Sequence, residues 1–263
     1  MSALVILAAG RGSRLGAMAD ARPKCMTTLL GRPWLHWQLD ACLQAGLSDI
    51  TLVTGHAAEA LPAHPAIGRR VHQPDWAHAG PVASLWAALA ALPDAPLLIA
   101  YGDCLWHPQW LRWLDAARAP VALTVDLAWA ALWSARFADP LADAETLRLG
   151  PRGAGQSRSR ALREIGARAG RIEDIEAQFM GLLRFSASGT VFLRGALGAM
   201  APAERDRLDV TALLARWLAQ GVEIEAIVGG GAWLELDHAS DLALYQRALA
   251  QPGFRHDFRE PPA

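Results

Sequence analysis

The chain has no asparagine and one lysine, Lys24, among its 25 lysine and arginine residues. Alanine is abundant, as in the product of a GC-rich coding sequence that exchanges lysine for arginine wherever the chemistry permits. A position that keeps lysine therefore marks itself. Charge of one sign is also lacking. With 25 basic against 26 acidic residues the formal net charge is -1. That leaves no broad field for a polyanion and argues against nucleic acid as an obligate partner or a basic membrane-surface helix. Cysteine is scarce. Cys25, Cys42 and Cys104 are odd in number and lack metal-ligand spacing, which argues against a disulfide scaffold and for a reducing cytoplasm. The eight histidines show no paired ligand spacing, so zinc chemistry has no support. Long apolar runs are missing too. The stretch at 97–101 falls far short of the ~20 residues of a membrane span. The apolar first ten residues carry no basic segment and are expected to form a buried strand, not a signal peptide.

What remains is a core-forming chain of 263 residues, 52% hydrophobic and 19% charged. Residues 4–8 are a short apolar run followed by a glycine-rich loop. Helical spacing follows from 33 to 45, a strand at 50–54, a helix at 81–92, a strand at 97–101, a helix at 108–117 and a strand at 121–127. Strands alternating with helices of this length predict an α/β fold with a Rossmann-like, mostly parallel sheet flanked by helices. Periodicity weakens from 129 to 171, with a polar stretch at 150–163, so antiparallel strands and loops are expected there as an inserted lid. Helix is expected again at 208–220, strands at 222–228 and 233–237, and a closing helix at 241–250. No linker or repeat divides the chain. The expectation is one domain, 1–250, with 126–186 as the lid or acceptor-binding part and 251–263 as a polar tail.

Three features carry chemistry. The first is the loop Leu7-Ala8-Ala9-Gly10-Arg11-Gly12-Ser13-Arg14-Leu15-Gly16 directly after the first strand. Ligands of parallel sheets bind beyond the carboxyl ends of strands, and small residues let backbone N–H groups cradle a phosphate. Arg11 and Arg14 can add bidentate contacts. The dinucleotide fingerprint fails here because its third glycine falls on Leu15, and the Walker loop fails because the lone lysine follows Pro23. The second is Arg22-Pro23-Lys24-Cys25-Met26, where proline stiffens the segment that presents Lys24. An ammonium is a compact point charge and a guanidinium a planar fork, so a retained lysine points to a geometrically strict role. The third is a pair of acids, Asp103 and Asp237, each at the end of a predicted strand, with Glu235 on the same face as Asp237. Strand-end carboxylates suit Mg2+, which takes one or two of them and completes its shell with phosphates and water. Asp237 also stands where a helix N-cap would.

The succession L-A-A-G-x-G-x-R-L, P-K, G-D after a strand, and W-x-E-x-D near the end resembles the nucleoside-triphosphate transferase (sugar nucleotidyltransferase-like) family over residues 3–250. The likeness is strongest to small-molecule cytidylyltransferases of the phosphocholine and phosphoglutamine type. The likeness to the phosphoglutamine type rests on residues 23–26, 129–133, 136–141 with 143–145, and 176–182. The resemblance implies a GT-A-like nucleotidyltransferase fold. It implies that Leu7, Ala8, Ala9 and Gly10 line a nucleotide site, that Gly12, Ser13 and Arg14 hold the β- and γ-phosphates, and that Lys24 neutralises charge at the α-phosphate. Asp103 and Asp237 would hold Mg2+. The segment from Gln73 to Ser84 would read the base, although the polar stretch expected before Ser84 is here Ala79-Gly80-Pro81-Val82-Ala83.

These roles imply transfer of CMP from CTP to a small phosphorylated or phosphonate acceptor with release of pyrophosphate. The acceptor's own anionic oxygen would be the nucleophile. Lys24 and Arg14 would be the catalytic residues and Mg2+ the cofactor. For the acceptor, Trp129 and Trp133 suggest an aromatic cage for a quaternary ammonium. Arg136, Glu176 and Gln178 suggest instead recognition of an amino-acid-like group, with Arg136 on a carboxylate and Glu176 on an amine, and Glu235 is a further substrate-site candidate. Competing readings are a sugar-1-phosphate nucleotidyltransferase using another NTP, a non-enzymatic nucleotide-binding module and an NAD-linked enzyme.

Overall fold

A computed structural model describes residues 2–19, 22–153 and 158–263. Residues 154–157 of the polar stretch noted above lie outside the described residues. The chain begins with β1 (Ala3–Ala8), then a hairpin of β2 (Thr28–Leu29) and β3 (Arg32–Pro33). There follow α1 (Trp34–Gln44), β4 (Ile50–Thr54), β5 (Ile67–His72), α2 (Pro81–Leu89), β6 (Leu97–Tyr101), β7 (Cys104–Trp106), α3 (Pro108–Asp115) and β8 (Val121–Asp126). The second half contributes α4 (Trp129–Arg136), β9 (Glu145–Leu149), β10 (Ser159–Arg168), β11 (Gln178–Phe185), α5 (Ala187–Gly198), α6 (Pro202–Arg207), α7 (Val210–Ala219), β12 (Ile224–Gly229), β13 (Trp233–Glu235) and α8 (Ala239–Ala248). Helix starts follow local chemistry. Pro81 and Pro108 occupy first turns, where a missing N–H costs nothing, and Asp209 accepts from Ala212 N at 2.6 Å to cap α7.

Nine strands pair in the order β5-β4-β1-β6-β11-β8-β12-β10-β9. The first four are mutually parallel, and so are β8 and β12. β11 runs antiparallel between β6 and β8. Alternation along β1 sends Leu4, Ile6 and Ala8 into one apolar layer and Ala3 and Val5 into the other. The sheet is thus buried on both faces, with α1, α3 and α8 on the first side and α2, α5 and α7 on the second. Ala8 is opposite Thr54, Leu7 opposite Tyr101 and Gln178 opposite Asp126. The carboxyl ends of β1, β4, β6 and β8 and the amino end of β11 therefore share one edge. That edge carries the candidate site.

The structure corrects two parts of the sequence reading. Residues 126–186 do not form a layer beside the sheet. They supply α4 and three antiparallel strands of the sheet itself, one of them, β11, near its middle. Residues 251–263 are not a free polar tail. Ala232 N donates to Arg255 O at 2.9 Å, Phe258 is buried, and His256 Nε2 lies 2.9 Å from Asp126 Oδ2. Asp126, at the end of β8, also accepts from Trp233 Nε1 at 2.8 Å and from Gly231 N at 2.9 Å. Burial pushes this carboxyl up, but those donors overcome it and hold it below the usual carboxylate range.

His256→Ala leaves a buried carboxylate short of a partner, and thermal unfolding at neutral pH should register a loss of about 3 kcal/mol. A depressed carboxyl contributes stability that is full above its unfolded pKa and disappears as pH falls through its lower folded value. The gap between parent and variant should therefore narrow below about pH 4. A variant that melts with the parent at neutral pH would show that the latch adds nothing.

Candidate active site

The glycine loop leaves β1 at Ala8. Gly12 has φ +69°, and a Cβ built there would come within 2.9 Å of Lys24 Cδ. Glycine at this position lets the lysine stem lie across the loop. Pro23 (φ -59°, ψ 147°) leads into a single 3-10 turn, Lys24–Met26, whose buried Cys25 anchors the turn below while Lys24 reaches over Gly12. The Gly-Asp pair after β6 has a similar logic. A Cβ at Gly102 would meet Leu7 O at 2.7 Å, and Gly102 N donates to Leu7 O at 2.9 Å. Only glycine lets the chain turn this close behind β1 and deliver Asp103 to the loop.

Asp237 arrives by a different route. β7, directly after Asp103, pairs antiparallel with β13, placing Glu235 opposite Cys104, and Leu236 N donates to Asp103 O at 2.9 Å. This short ladder joins two acids 134 residues apart in sequence (237 less 103). Lys24 Nζ then donates to Asp103 Oδ2 at 2.9 Å and to Asp237 Oδ1 at 3.1 Å. The lysine side chain is 13% exposed and Asp237 7%. Burial alone would lower the Lys24 pKa, but the two carboxylates more than offset it and raise it, so the ammonium stays charged. Burial would raise Asp237, but Lys24, Arg14 and Arg136 hold it well below the usual range. Arg14, 57% exposed, lies on the open side of the cluster with Nη2 3.2 Å from Asp237 Oδ1 and Nη1 3.8 Å from Asp143 Oδ1.

The structure thus gathers Lys24, Arg14, Asp103 and Asp237 around one point and brings Leu7, Ala8 and Gly12 beside it. Ala9 O accepts from His56 N at 2.9 Å across Gly55. Gln73 and Ser84, at the end of β5 and in the first turn of α2, lie on the same edge and are buried. Gln73 Oε1 accepts from Asp75 N at 3.3 Å.

The residues expected to meet the acceptor are placed differently. The Arg136 side chain has no exposed surface. Its guanidinium bonds Glu235 at 2.9 Å, Asp237 at 3.0 Å and Asp241 at 3.2 Å, and lies 5.1 and 4.9 Å from the Trp133 and Phe137 ring centroids. Four of its five N–H donors are taken by these acids and its side chain has no exposed surface, so it presents no open face to a substrate carboxylate. Trp129 and Trp133 are core residues, and Trp133 Nε1 donates to Asp143 Oδ2 at 3.1 Å. They form no open cage. Gln178 Nε2 donates to Glu145 O at 2.6 Å, and Glu176 accepts from Leu149 N and from Arg160 Nη2. Both secure β9 and β10. Glu235 remains near the cluster, tied to Arg136, with its pKa raised by burial and by Asp237. Asp237 is not the N-cap of α8. His238 holds that position, and Asp241 Oδ2 accepts from Asp237 N at 2.8 Å and His238 N at 2.9 Å.

Sequence reasoning overlooked Asp241 and gave Asp143 no role, yet both touch the cluster. The i, i+3 pair of His238 and Asp241 at a helix start, the spacing of a capping box, was the available signal. Cys25 and Cys104 are buried, with thiols pushed up (Cys25 to about 12) chiefly by burial, so they behave as packing residues. Among the described residues no helix is long and apolar enough to cross a membrane.

Residues 4–167 match the MobA-like NTP transferase domain. The chain is 28% identical over 255 residues to the CTP:phosphoglutamine cytidylyltransferase of Campylobacter jejuni subsp. jejuni serotype O:2, covering 90% of this chain and 96% of that protein. Among solved structures, UDP-glucose pyrophosphorylase in complex with UDP-glucose superposes with a TM-score of 0.73 at 14% identity, covering 95% of this chain and 98% of the other. The inositol-1-phosphate CTP transferase from T. maritima does so with 0.73 at 16% identity, covering 96% and 97%. These likenesses at low identity confirm the mixed, helix-flanked GT-A-like nucleotidyltransferase fold.

Removing the buried guanidinium strands three acids at once. Arg136→Met should lower stability by about 3–5 kcal/mol, read from denaturant unfolding. Arg136→Lys, which keeps charge but cannot span three carboxylates, should fall between parent and Met variant. Equal stability of Met and parent would refute the hub.

Proposed function

Since the chain belongs to the MobA-like NTP transferase family, and is therefore a nucleotidyltransferase, we propose that it is a cytidylyltransferase that moves CMP from CTP to a small phosphorylated or phosphonate metabolite and releases pyrophosphate. The observation that carries this reading is the single ammonium of Lys24, seated over Gly12 and bonded to Asp103 and Asp237 at 2.9 and 3.1 Å. A cation fixed between a phosphate-cradling loop and two strand-end acids suits transfer at an α-phosphate. The full-length likeness to a cytidylyltransferase supports CTP as donor and a phosphorylated acceptor such as phosphoglutamine or phosphocholine. The buried, unpaired thiols suit a reducing cytoplasm.

The acceptor's anionic phosphate or phosphonate oxygen attacks the α-phosphorus of CTP. The new O–P bond forms in line as the bond to the bridging oxygen of the β-phosphate breaks, and pyrophosphate leaves with that electron pair. The nucleophile is already ionised, so no general base is required. The protein supplies position and charge neutralisation. Lys24 neutralises the α-phosphate and the approaching acceptor. Arg14, more than half exposed at the opening, meets the departing phosphates. The backbone N–H groups of the loop from Ala8 to Ser13 orient the triphosphate, and the edge between Gln73 and Ser84 faces the base.

Mg2+ fits the donors present. Asp103 and Asp237 converge on one point from separate strands, both with hard oxygen donors, and Asp237 is held ionised. Asp103 and Asp237 would hold the metal, and it would supply electrostatic stabilisation of the charge that gathers on the transferring phosphoryl group.

Pyrophosphate release with each NTP and a panel of phosphocholine, phosphoethanolamine, aminoethylphosphonate, phosphoglutamine and glucose 1-phosphate tests the assignment. CTP should be the productive donor. Preferred turnover of a sugar phosphate with UTP or dTTP would instead establish a sugar-1-phosphate nucleotidyltransferase. Lys24→Arg conserves charge but replaces a point donor with a fork too large for its seat over Gly12, so kcat should fall roughly 100-fold or more with the fold intact. Near-parental turnover by that variant would remove the lysine from the mechanism.

A further inference from the structure

A cavity of about 210 Å³ opens between β9 and the bulged end of β10, lined by Ala142, Asp143, Glu145, Gly166, Ala167 and Arg168. The sequence builds it through one irregularity. The β9–β10 register shifts between Ile165 and Arg168, where Gly166 takes φ +86° with Thr211 3.1 Å from the place of a Cβ. Beyond this bulge Arg168 comes to lie opposite Glu145. Its Nη1 donates to Ala142 O at 2.9 Å, which holds the guanidinium at the cavity wall with other donors to spare. Gln178 fixes the Glu145 backbone through its carbonyl at 2.6 Å.

The cavity adjoins the reaction centre. Asp143 Oδ2 is pinned by Trp133 Nε1 at 3.1 Å, while Asp143 Oδ1 stands 3.8 Å from the same Arg14 guanidinium that meets Asp237 at 3.2 Å. A phosphate held at Arg14 and Lys24 thus has the cavity as its immediate neighbour. Its walls carry both signs of charge. Burial raises the Glu145 pKa, Thr211 and Arg168 oppose that, and Asp209 and Asp143 add to it. An ammonium placed between Asp143 and Glu145 would relieve this repulsion. The volume lies below the roughly 300–1,000 Å³ of drug-sized pockets, which suits one small head group and not a nucleoside.

We propose that this cavity is the head-group subsite of the acceptor and that it takes a zwitterionic amino-acid moiety, its ammonium between Asp143 and Glu145 and its carboxylate on Arg168. The proposal rests on the cytidylyl-transfer reading and narrows its acceptor to phosphorylated amino acids. It also relocates the recognition that the sequence suggested for Arg136 and Glu176, whose groups are engaged elsewhere.

Binding, measured by calorimetry on the full chain with Mg2+ and a non-hydrolysable CTP analogue, tests the subsite apart from catalysis. The probes are phosphoglutamine, with both head-group charges, phosphoethanolamine, with the ammonium alone, and glucose 1-phosphate, with neither. Phosphoglutamine should bind about tenfold or more tightly than phosphoethanolamine. Arg168→Met should erase that advantage, and Arg168→Lys should restore part of it. Glu145→Gln should weaken both amine-bearing ligands while leaving the CTP analogue and glucose 1-phosphate unaffected. Phosphoglutamine that binds no better than phosphoethanolamine, fails to bind, or is indifferent to both substitutions overturns the proposal. Pyrophosphate release is scored separately. Tight, variant-sensitive binding without release keeps the subsite and counts against CMP transfer.

Discussion

The arrangement depends on one buried cation. Arg136 ends α4 with no exposed side-chain surface and bonds Glu235, Asp237 and Asp241, while the Trp133 and Phe137 rings lie within cation–π distance. Burial disfavours its charge, yet the carboxylates around it raise its pKa, so it never releases a proton. The consequence is geometric. Asp237 has one oxygen fixed from behind by Arg136 at 3.0 Å, so the other faces Lys24 and Arg14. Asp241, held by the same guanidinium, accepts from the Asp237 and His238 N–H groups and sets the start of α8. A single side chain therefore orients Asp237 and anchors the helix that follows it. Such a hub is costly to desolvate and costly to disassemble, which ties stability and site geometry to the same residue.

The other half of the site is assembled by close approach. Gly12 under Lys24 and Gly102 behind Leu7 are places where a methyl group would collide with its neighbour, at 2.9 and 2.7 Å. The β7–β13 ladder then carries Asp103 and Asp237 to the same ammonium. None of these contacts is local in sequence. The loop, the lysine turn, the end of β6 and the end of β13 meet because the parallel strands expose their carboxyl ends along one edge and the short ladder folds β13 back over it.

Much of this was legible beforehand, for physical reasons. The apolar runs at β1, β4, β6 and β8 are strands buried on both faces, which have no alternation to obscure them. The glycine loop, the lone lysine and the strand-end acids stand out because steric need or charge restricts each to few residue types. The errors fell where signals are weak or dual. Trp129, Leu132, Trp133 and Arg136 sit at helical spacing, but an arginine on the buried face reads as a surface or ligand residue until its three carboxylates are seen. β10 is interrupted by its bulge, and β11 is an antiparallel strand placed by pairing partners far along the chain. Residues 251–263 look polar because their anchoring chemistry is itself polar, a histidine on a buried aspartate.

The charge balance of the cluster bears on how it would receive a nucleotide. Among the described residues, Asp103, Asp143, Glu235, Asp237 and Asp241 are linked by ion pairs to Arg14, Lys24 and Arg136. A triphosphate entering alone would set its negative charge beside Asp103, Asp143 and Asp237. On the proposed reading Asp103 and Asp237 would hold a divalent cation that supplies positive charge beside the phosphates, and Lys24 would then be free to turn toward phosphate. Lys24 would keep its charge in either partnership, since carboxylates and phosphates both favour the ammonium. The requirement for lysine then follows from geometry more than from charge. The group must bond two carboxylates from a single point and reach a phosphate from the same seat over Gly12, and a planar fork is too large for that seat.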